Sequence, residues 1–129
     1  MYVSRATIAR EDAERVIDAI VAVSRPRNAV LEVTGALIFS GDSFAQIIEG
    51  PTDAINELRA RISRDVRHSD LLTVADGEAN RRDFADWLLA YSGTALFVER
   101  ELERIRTATR TEPHHSQRDL RRLLGELSS

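Results

Sequence analysis

The sequence predicts an α+β fold: a ferredoxin-like β-α-β-β-α-β plan with an added fifth strand and two helices over one face of the sheet. Three observations predict it. Residues 11–24 and 52–65 repeat apolar side chains at helical spacing, and a strand hairpin lies between them. Other strand-like segments precede the first helix and follow the second. The chain has 129 residues, enough for one domain with a substantial core.

The first helix is predicted between Glu11 and Ser24, after a short strand that includes Tyr2-Val3-Ser4. Its apolar residues follow helical spacing: Ala13, Val16, Ile17, Ile20 and Val21. We expect Arg25-Pro26 to end the helix, because a proline disfavours the helical conformation of the residue before it. Asn28 is then expected just beyond the helix end.

A strand hairpin follows. Residues 33–39 are rich in Val, Leu, Ile and Phe, residues 40–42 form a turn, and residues 43–49 form the second strand. Alternation along that strand gives two faces. One face carries Phe44, Gln46 and Ile48, and the other carries Ala45, Ile47 and Glu49.

The second helix is predicted from Thr52, as N-cap, to about Asp65, with Asp53 in its first turn. Its apolar stripe consists of Ile55, Leu58 and Ile62. Residues 71–75 and 86–92 are predicted as the fourth and fifth strands.

Two helices are predicted in the C-terminal part. Residues 97–107 are amphipathic, and a polar break with Pro113 follows. Ser116 is expected to cap the last helix, with Asp119 in the capping-box position. The apolar stripe of that helix, Leu120, Leu123, Leu124 and Leu127, is expected to pack on the other face of the sheet or on a partner.

Composition narrows the function classes. The hydrophobic content is 43%, the charged content is 30% and the net charge is −3, which argues against a nucleic-acid-binding module. The sequence has no cysteine, so disulfides, thiolate chemistry and cysteine-bound metals are excluded, in keeping with a reducing cytoplasm. No signal peptide or membrane-spanning apolar run is recognised.

Several polar residues occupy inward positions around the predicted groove between the two helices. A buried glutamine such as Gln46 must satisfy two N–H donors and one carbonyl acceptor, and leaving it unpaired costs about 1–3 kcal/mol. Tyr2 and Gln46 are expected on the groove floor, and Asn28, Arg61 and Asp65 along its walls. Such a set lacks a general base and suits a flat heterocycle with several hydrogen-bonding edges.

Each of these residues also has a purely structural interpretation. Arg61 and Asp65 stand four residues apart, as in a surface ion pair of a helix. Gln46 alone fits a strand edge, Asn28 a helix C-cap or turn, and Tyr2 the core. Trp87 suits a core or an interface, and His114-His115 suit a solvated linker better than a metal site. Only the combination favours a binding site.

Five stretches then resemble one family: "YVSRA", "SRPRN", "VTGALIFSGDSFAQIIEGP", "RISRDVRHS" and "RRDFADWLLAYS". In this order and spacing they resemble the BLUF domain, a flavin-binding sensor of blue light. The second and third stretches are the most specific. The resemblance implies a flavin-binding domain at residues 1–92 and a C-terminal helical extension at residues 93–129.

The resemblance also implies roles for individual residues. Tyr2 matches the photoactive tyrosine, which donates an electron and a proton to the excited flavin. Gln46 matches the switching glutamine, which bridges that tyrosine and the N5 and C4-carbonyl edge of the flavin. Rotation or tautomerisation of its amide reverses the donor and acceptor pattern shown to both neighbours. Asn28 matches the asparagine that bonds the C4 carbonyl and N3 side.

Further positions follow from the same resemblance. Arg61 and Asp65 match a pair on the second helix near the pyrimidine end of the flavin, and Arg27 matches a variable polar wall residue. Trp87 and Leu89 match the fifth-strand pair that relays the signal, although the family usually has methionine where this sequence has Leu89.

The first strand departs from the family pattern. Only Met1 precedes Tyr2, whereas the family strand usually begins several residues earlier. The sequence therefore predicts either a strand that starts upstream of this sequence or a short first strand that frays and holds Tyr2 loosely.

Three functions remain open. The first is a cytoplasmic photoreceptor that binds FAD, or FMN, and signals through an unidentified partner protein or through self-association as a homodimer or larger homo-oligomer. The C-terminal extension is too short for an enzymatic effector. The second is a flavin-free interaction module of the same fold. The third, an enzyme, is disfavoured because the loop after the first strand lacks the glycine of a phosphate-cradling loop.

Overall fold

The computed structural model describes residues 1–40, 42–79, 81–85, 91–92 and 96–128. Its elements in chain order are β1 (Tyr2–Ala6), a single 3-10 turn (Arg10–Asp12), α1 (Ala13–Val30), β2 (Thr34–Ser40), β3 (Ser43–Glu49), α2 (Thr52–Arg64), β4 (His68–Thr73), β5 (Tyr91–Ser92), α3 (Leu96–Ala108) and α4 (Pro113–Ser128).

The strands form one sheet in the order β4-β1-β3-β2-β5. The first four strands pair antiparallel, as the ferredoxin-like plan predicts, and the α+β class is confirmed. The two residues of β5 pair parallel to β2, with Tyr91 beside Leu37. The first five residues of the predicted fifth strand, 86–90, lie outside the described residues.

Strand β1 does not fray, so that expectation is wrong. It lies between β3 and β4 and forms hydrogen bonds with both neighbours. The chain before it is also fixed, because the Met1 carbonyl accepts hydrogen bonds from the backbone N–H of Val74 at 2.8 Å and Ala75 at 3.3 Å. A strand paired on both sides holds its residues by neighbouring backbone, even when it is only five residues long.

Helix α1 continues past the predicted end. Pro26 lies inside the helix, and Asn28 belongs to its last turn instead of lying beyond it. Ala22 and Pro26 are both exposed, so the carbonyl that loses its helical partner to the proline faces solvent. The continued helix buries Asn28, which is 2% exposed, against the rest of the domain.

Helix α2 and strand β4 also differ from their predicted limits. Pro51, with φ −58° and ψ 142°, is the N-cap, and Thr52 is already helical and does not cap with its side chain. The carbonyl of Pro51 accepts the first helical hydrogen bond, from Ile55 at 3.0 Å. Strand β4 starts at His68 instead of Leu71, because its backbone pairs with Ala6 of β1.

The two faces of the sheet are covered by different helices. On one face, α1 packs over Leu37, Phe39 and Phe44, and α2 packs beside it. On the other, a larger cluster joins the sheet to the C-terminal helices through Ala36, Ile38, Ala45, Ile47, Val98, Leu102, Ile105, Leu120, Leu123 and Leu124. The alternation predicted for β3 therefore divides its side chains between two cores.

Helix α4 begins at Pro113, earlier than predicted. Proline suits the first position of a helix, where its missing N–H would have no partner. Ser116 is not the cap: it is buried within the helix, and its hydroxyl donates to the carbonyl of Ile105 in α3 at 3.2 Å. In the described part of the chain, no helix combines the length and apolarity needed to cross a membrane.

Candidate functional site

A groove lies between α1 and α2, above the central strands β1 and β3, and encloses about 150 Å³. Six residues singled out from the sequence line it: Tyr2, Arg27, Asn28, Gln46, Arg61 and Asp65. They come from β1, the last turn of α1, β3 and the C-terminal end of α2. The fold thus collects residues that are up to 63 positions apart in the chain into one cavity.

Apolar side chains form part of the groove lining. Leu37 and Phe44 contribute from the hairpin, Ile48 from the end of β3, and Leu58 from α2. Leu58 and Phe44 are buried, and the Phe44 ring packs at 5.1 Å against Phe39. Apolar surface combined with several hydrogen-bonding groups suits a flat heterocycle with polar edges.

Tyr2 and Gln46 are direct cross-strand partners in the register of β1 and β3. The Tyr2 hydroxyl donates to Oε1 of Gln46 over 2.6 Å, and Gln46 is only 8% exposed. Burial raises the pKa of Tyr2, and the negative charge of Asp65 raises it further, so the hydroxyl keeps its proton. The acceptor end of the amide therefore faces Tyr2, which leaves the NH₂ end to donate elsewhere.

Arg27 supplies a polar wall from α1. One of its terminal nitrogens donates to the hydroxyl of Ser24 at 3.4 Å, while its Nε is buried without a hydrogen-bond partner among the described residues. Burial lowers the pKa of Arg27, and the nearby positive charge of Arg61 lowers it further. A buried N–H without an acceptor is unfavourable, and an acceptor oxygen on a ligand in the groove would relieve that cost.

Arg61 and Asp65 both line the groove but do not form the ion pair expected from their spacing. Asp65 ends α2 in an extended conformation, ψ 122°, and accepts hydrogen bonds from Nε of Arg67 at 2.8 Å and from its backbone N–H at 3.0 Å. Arg61 instead pairs with Glu57 at 3.3 Å. The hydrogen bond from Arg67 holds the pKa of Asp65 below its usual value. Arg67 was not among the site residues predicted from the sequence.

His68 is a second groove residue that the sequence patterns did not indicate. Its Nε2 lies 2.6 Å from the carbonyl oxygen of Ile62, and its Nδ1 lies 2.7 Å from the hydroxyl of Ser4. Because a carbonyl can only accept, Nε2 carries a proton. The ring is 6.0 Å from that of Tyr2 and meets Phe44 edge-on at 6.2 Å. His68 therefore ties the end of α2 to the strand that carries Tyr2.

One signal in the sequence could have indicated this contact. Ser4 follows Tyr2 by two positions on the same strand, and residues two apart share a face. The predicted strand limits left His68 in the connection before the fourth strand, whereas it is the first residue of β4 and pairs beside β1. His68 was therefore missed because the start of the fourth strand was predicted three residues too late.

The predicted relay pair, Trp87 and Leu89, lies outside the described residues. Across the described ranges, no three His, Asp or Glu side chains converge as metal ligands.

Comparison with known families identifies one that most of the chain matches. The model of the BLUF family, described as "Sensors of blue-light using FAD", matches residues 1–90. This chain belongs to the BLUF family. It is 37% identical over 89 residues to the photoactivated adenylate cyclase subunit beta of Euglena longa, a match that covers 68% of this chain and 10% of that protein. The chain thus spans about a tenth of the length of that relative.

Solved BLUF structures share the architecture. The dark-state structure of the BLUF protein BlrB is 31% identical and superposes with a TM-score of 0.74 over 94% of this chain and 89% of that one. Klebsiella pneumoniae BlrP1, solved with FMN and cyclic diGMP, is 26% identical, with a TM-score of 0.66 over 80% of this chain and 28% of that one. The chain is therefore a member of a family of flavin-using blue-light sensors.

Proposed function

We propose that this protein is a blue-light photoreceptor that holds a flavin in the groove between α1 and α2 and switches through Tyr2 and Gln46. The observation that carries the proposal is the 2.6 Å hydrogen bond from the Tyr2 hydroxyl to Oε1 of Gln46 on the groove floor. A bound flavin supplies the absorption of blue light and, once excited, the capacity to accept an electron and a proton.

Tyr2 is suited to be the donor. Its hydroxyl keeps its proton in the folded protein, because burial raises its pKa. The amide oxygen of Gln46 accepts the hydrogen bond of that hydroxyl, so a change of charge or proton on Tyr2 acts first on this amide. Rotation or tautomerisation of Gln46 then exchanges the donor and acceptor ends that face Tyr2 and the ligand. A new hydrogen bond to a flavin carbonyl would shift the absorption to the red.

The walls of the groove fit the hydrogen-bonding edges of a flavin. Asn28 would bond the C4-carbonyl and N3 side of the ring, and Arg61 with Asp65 would lie near its pyrimidine end. Arg27 offers a buried N–H that lacks an acceptor among the described residues. The apolar surface around Phe44 and Ile48 would cover the ring faces. These features support a flavin ring as the ligand.

FAD is the cofactor that we propose, because the family description specifies it. FMN is the alternative, since BlrP1 was solved with FMN. The groove residues would bond the ring that both cofactors share, so they do not distinguish FAD from FMN. Chromatography of the flavin released from purified protein identifies whether FAD or FMN is bound.

We further propose that the protein has no enzymatic activity of its own and acts in the cytoplasm on a partner protein or through self-association as a homodimer or larger homo-oligomer. The proposed output region consists of α3 and α4 together with Trp87 and Leu89, the relay pair that the family resemblance implies. In the Euglena relative a cyclase accounts for the output, as its name states. A light-independent flavin reductase activity of this chain would contradict the proposal.

The decisive test is a visible spectrum of freshly purified protein, recorded in the dark and then under blue light. We expect yellow protein whose absorption shifts reversibly to the red. Colourless protein that takes up no added flavin would favour a flavin-free interaction module.

The mechanism is tested by the Gln46→Leu variant. Leucine keeps the bulk of the side chain but removes the amide, so the red shift should disappear while flavin remains bound. Gln117→Leu is a matched control, because Gln117 lies on α4, away from the groove. A Gln46→Leu protein that still cycled would overturn the proposed switch.

A further inference from the structure

The last residue of β3, Glu49, forms an unusual contact with the segment that follows β4. Its carboxylate accepts hydrogen bonds from the backbone N–H of Asp83, at 3.0 and 3.1 Å, and from that of Phe84 at 2.8 Å. Hydrogen bonds to a charged acceptor are stronger than neutral ones. One carboxylate at the end of a strand therefore holds two consecutive backbone groups that are more than thirty residues away in the chain.

The strand next to Glu49 holds the same segment. Thr34 is the cross-strand partner of Glu49 in the β2–β3 register. Its hydroxyl accepts a hydrogen bond from Arg82 at 3.2 Å. The open end of the β2–β3 hairpin therefore binds residues 82–84 from both of its strands.

The other side of that segment contacts the C-terminal helices. The carboxylate of Asp83 forms an ion pair with Arg121 of α4. The side chain of Phe84, 5% exposed, belongs to the cluster that contains Leu120 and Leu124 of α4. Residues 83 and 84 thus bind Glu49 through their backbone and α4 through their side chains.

We propose that Glu49 is a positioning residue that carries the light-induced change from Gln46 to α4 through residues 83 and 84. The inference rests on the photoreceptor function proposed above. Gln46 and Glu49 are three residues apart on β3, a distance of about 10 Å along a strand. They point to opposite faces, Gln46 into the flavin groove and Glu49 towards the segment under the C-terminal helices. A small shift of β3 therefore moves Gln46 in the groove and Glu49 against residues 83 and 84 together.

The contacts of Glu49 with residues 83 and 84 indicate which helix changes its surface on illumination. Helices α1 and α2 border the groove itself, whereas the segment at 82–84 is bonded both to the open end of the β2–β3 hairpin and to α4. The packed cluster beneath α4 has few ways to absorb a displacement of Phe84, because protein cores are closely packed. The surface that changes on illumination is therefore that of α4.

The test measures two signals in the full-length protein: the red shift of the flavin, and the light-minus-dark difference in amide hydrogen exchange of residues 113–128. Glu49→Leu removes both acceptor oxygens at similar volume, so the backbone N–H groups of Asp83 and Phe84 lose their partner. We expect the red shift to persist and the exchange difference in α4 to be lost. Arg121→Gln removes the ion pair of Asp83 with α4 but leaves Phe84 in the cluster, so it should keep the red shift and reduce the exchange difference in α4.

Two controls isolate the linkage. Glu14→Leu changes an exposed glutamate in the first turn of α1, and Arg118→Gln changes an exposed arginine on α4. Both should retain the red shift and the exchange difference. A full exchange difference in Glu49→Leu, or its absence in the wild type despite a red shift, overturns the role of Glu49 alone. Absence of the red shift in the wild type instead overturns the proposed photoreceptor function.

Discussion

The hydroxyl of Tyr2 donates a 2.6 Å hydrogen bond to Oε1 of Gln46, and the two residues face each other directly across β1 and β3. Their relative position is set by the backbone pairing of two neighbouring strands in the middle of the sheet, which leaves little freedom to either side chain. An inward glutamine in a core strand thus has one partner within the protein and one end open to a ligand.

Substitution of Tyr2 by phenylalanine tests this relationship. The ring remains, but Oε1 of Gln46 loses its donor, so we expect the free energy of unfolding to fall by about 1 kcal/mol. The flavin should stay bound, whereas the red shift under blue light should disappear because the electron and proton donor is absent. Absorption spectra and urea unfolding of the same preparations measure both effects. A normal red shift in Tyr2→Phe would assign the donor to another residue.

The partner of Asp65 can be identified from the pH dependence of stability. Arg67 holds the pKa of Asp65 below the unfolded value of about 3.9, so the stabilisation is complete above that pH and is lost as the pH falls through the folded pKa. We expect less than about 1 kcal/mol, because both side chains are partly exposed. Unfolding by urea between neutral pH and about pH 3 measures it.

Variants of the two neighbouring arginines distinguish the candidate partners. Arg67→Gln should reduce the loss of stability at acid pH, since the hydrogen bonds from the guanidinium of Arg67 disappear. Arg61→Gln should leave the contribution of Asp65 unchanged, because Arg61 pairs with Glu57. The reverse result would restore the helical pair that the residue spacing suggests.

Local patterns in the sequence predicted the fold well where they agreed with the tertiary structure. The limits of β3 match the prediction, because a turn precedes the strand and its side chains alternate between two apolar cores. The prediction of Tyr2 and Gln46 on one floor also followed from strand periodicity. The family resemblance added the identity of the ligand, which no spacing of residues could supply.

Local patterns failed where burial or long-range pairing overrode them. Pro26 does not end α1, because the proline is exposed while Asn28 two residues later is buried. Ser116 does not cap α4, because its hydroxyl bonds to Ile105 of another helix. The contact of Glu49 with the backbone of residue 84 could not be predicted from the sequence, since no local pattern relates a strand end to backbone groups 35 positions later.

Two glycines offer a matched pair of opposite predictions. A Cβ on Gly35 of β2 would overlap the backbone carbonyl of Ile47 in β3, so Gly35→Ala should separate the hairpin strands and prevent stable folding. Gly125 lies within α4, and a Cβ added there would meet no atom within 4 Å, so Gly125→Ala should raise the free energy of unfolding by about 0.5–1 kcal/mol. Thermal and urea unfolding measure both. Equal effects of the two substitutions would contradict the close approach at Gly35.

The contribution of α4 to the fold is tested by truncating a side chain on its buried stripe. Leu124 has no exposed surface and belongs to the cluster that joins α4 to the sheet through Ile38 and Ile47. Leu124→Ala should therefore lower the free energy of unfolding by about 2–5 kcal/mol, through lost burial and the cavity that remains. Val30→Ala is the control, because Val30 is 83% exposed and its truncation should change stability by less than about 0.5 kcal/mol. If Leu124→Ala unfolded like the control, α4 would not be part of the core, and its stripe would be free to bind a partner.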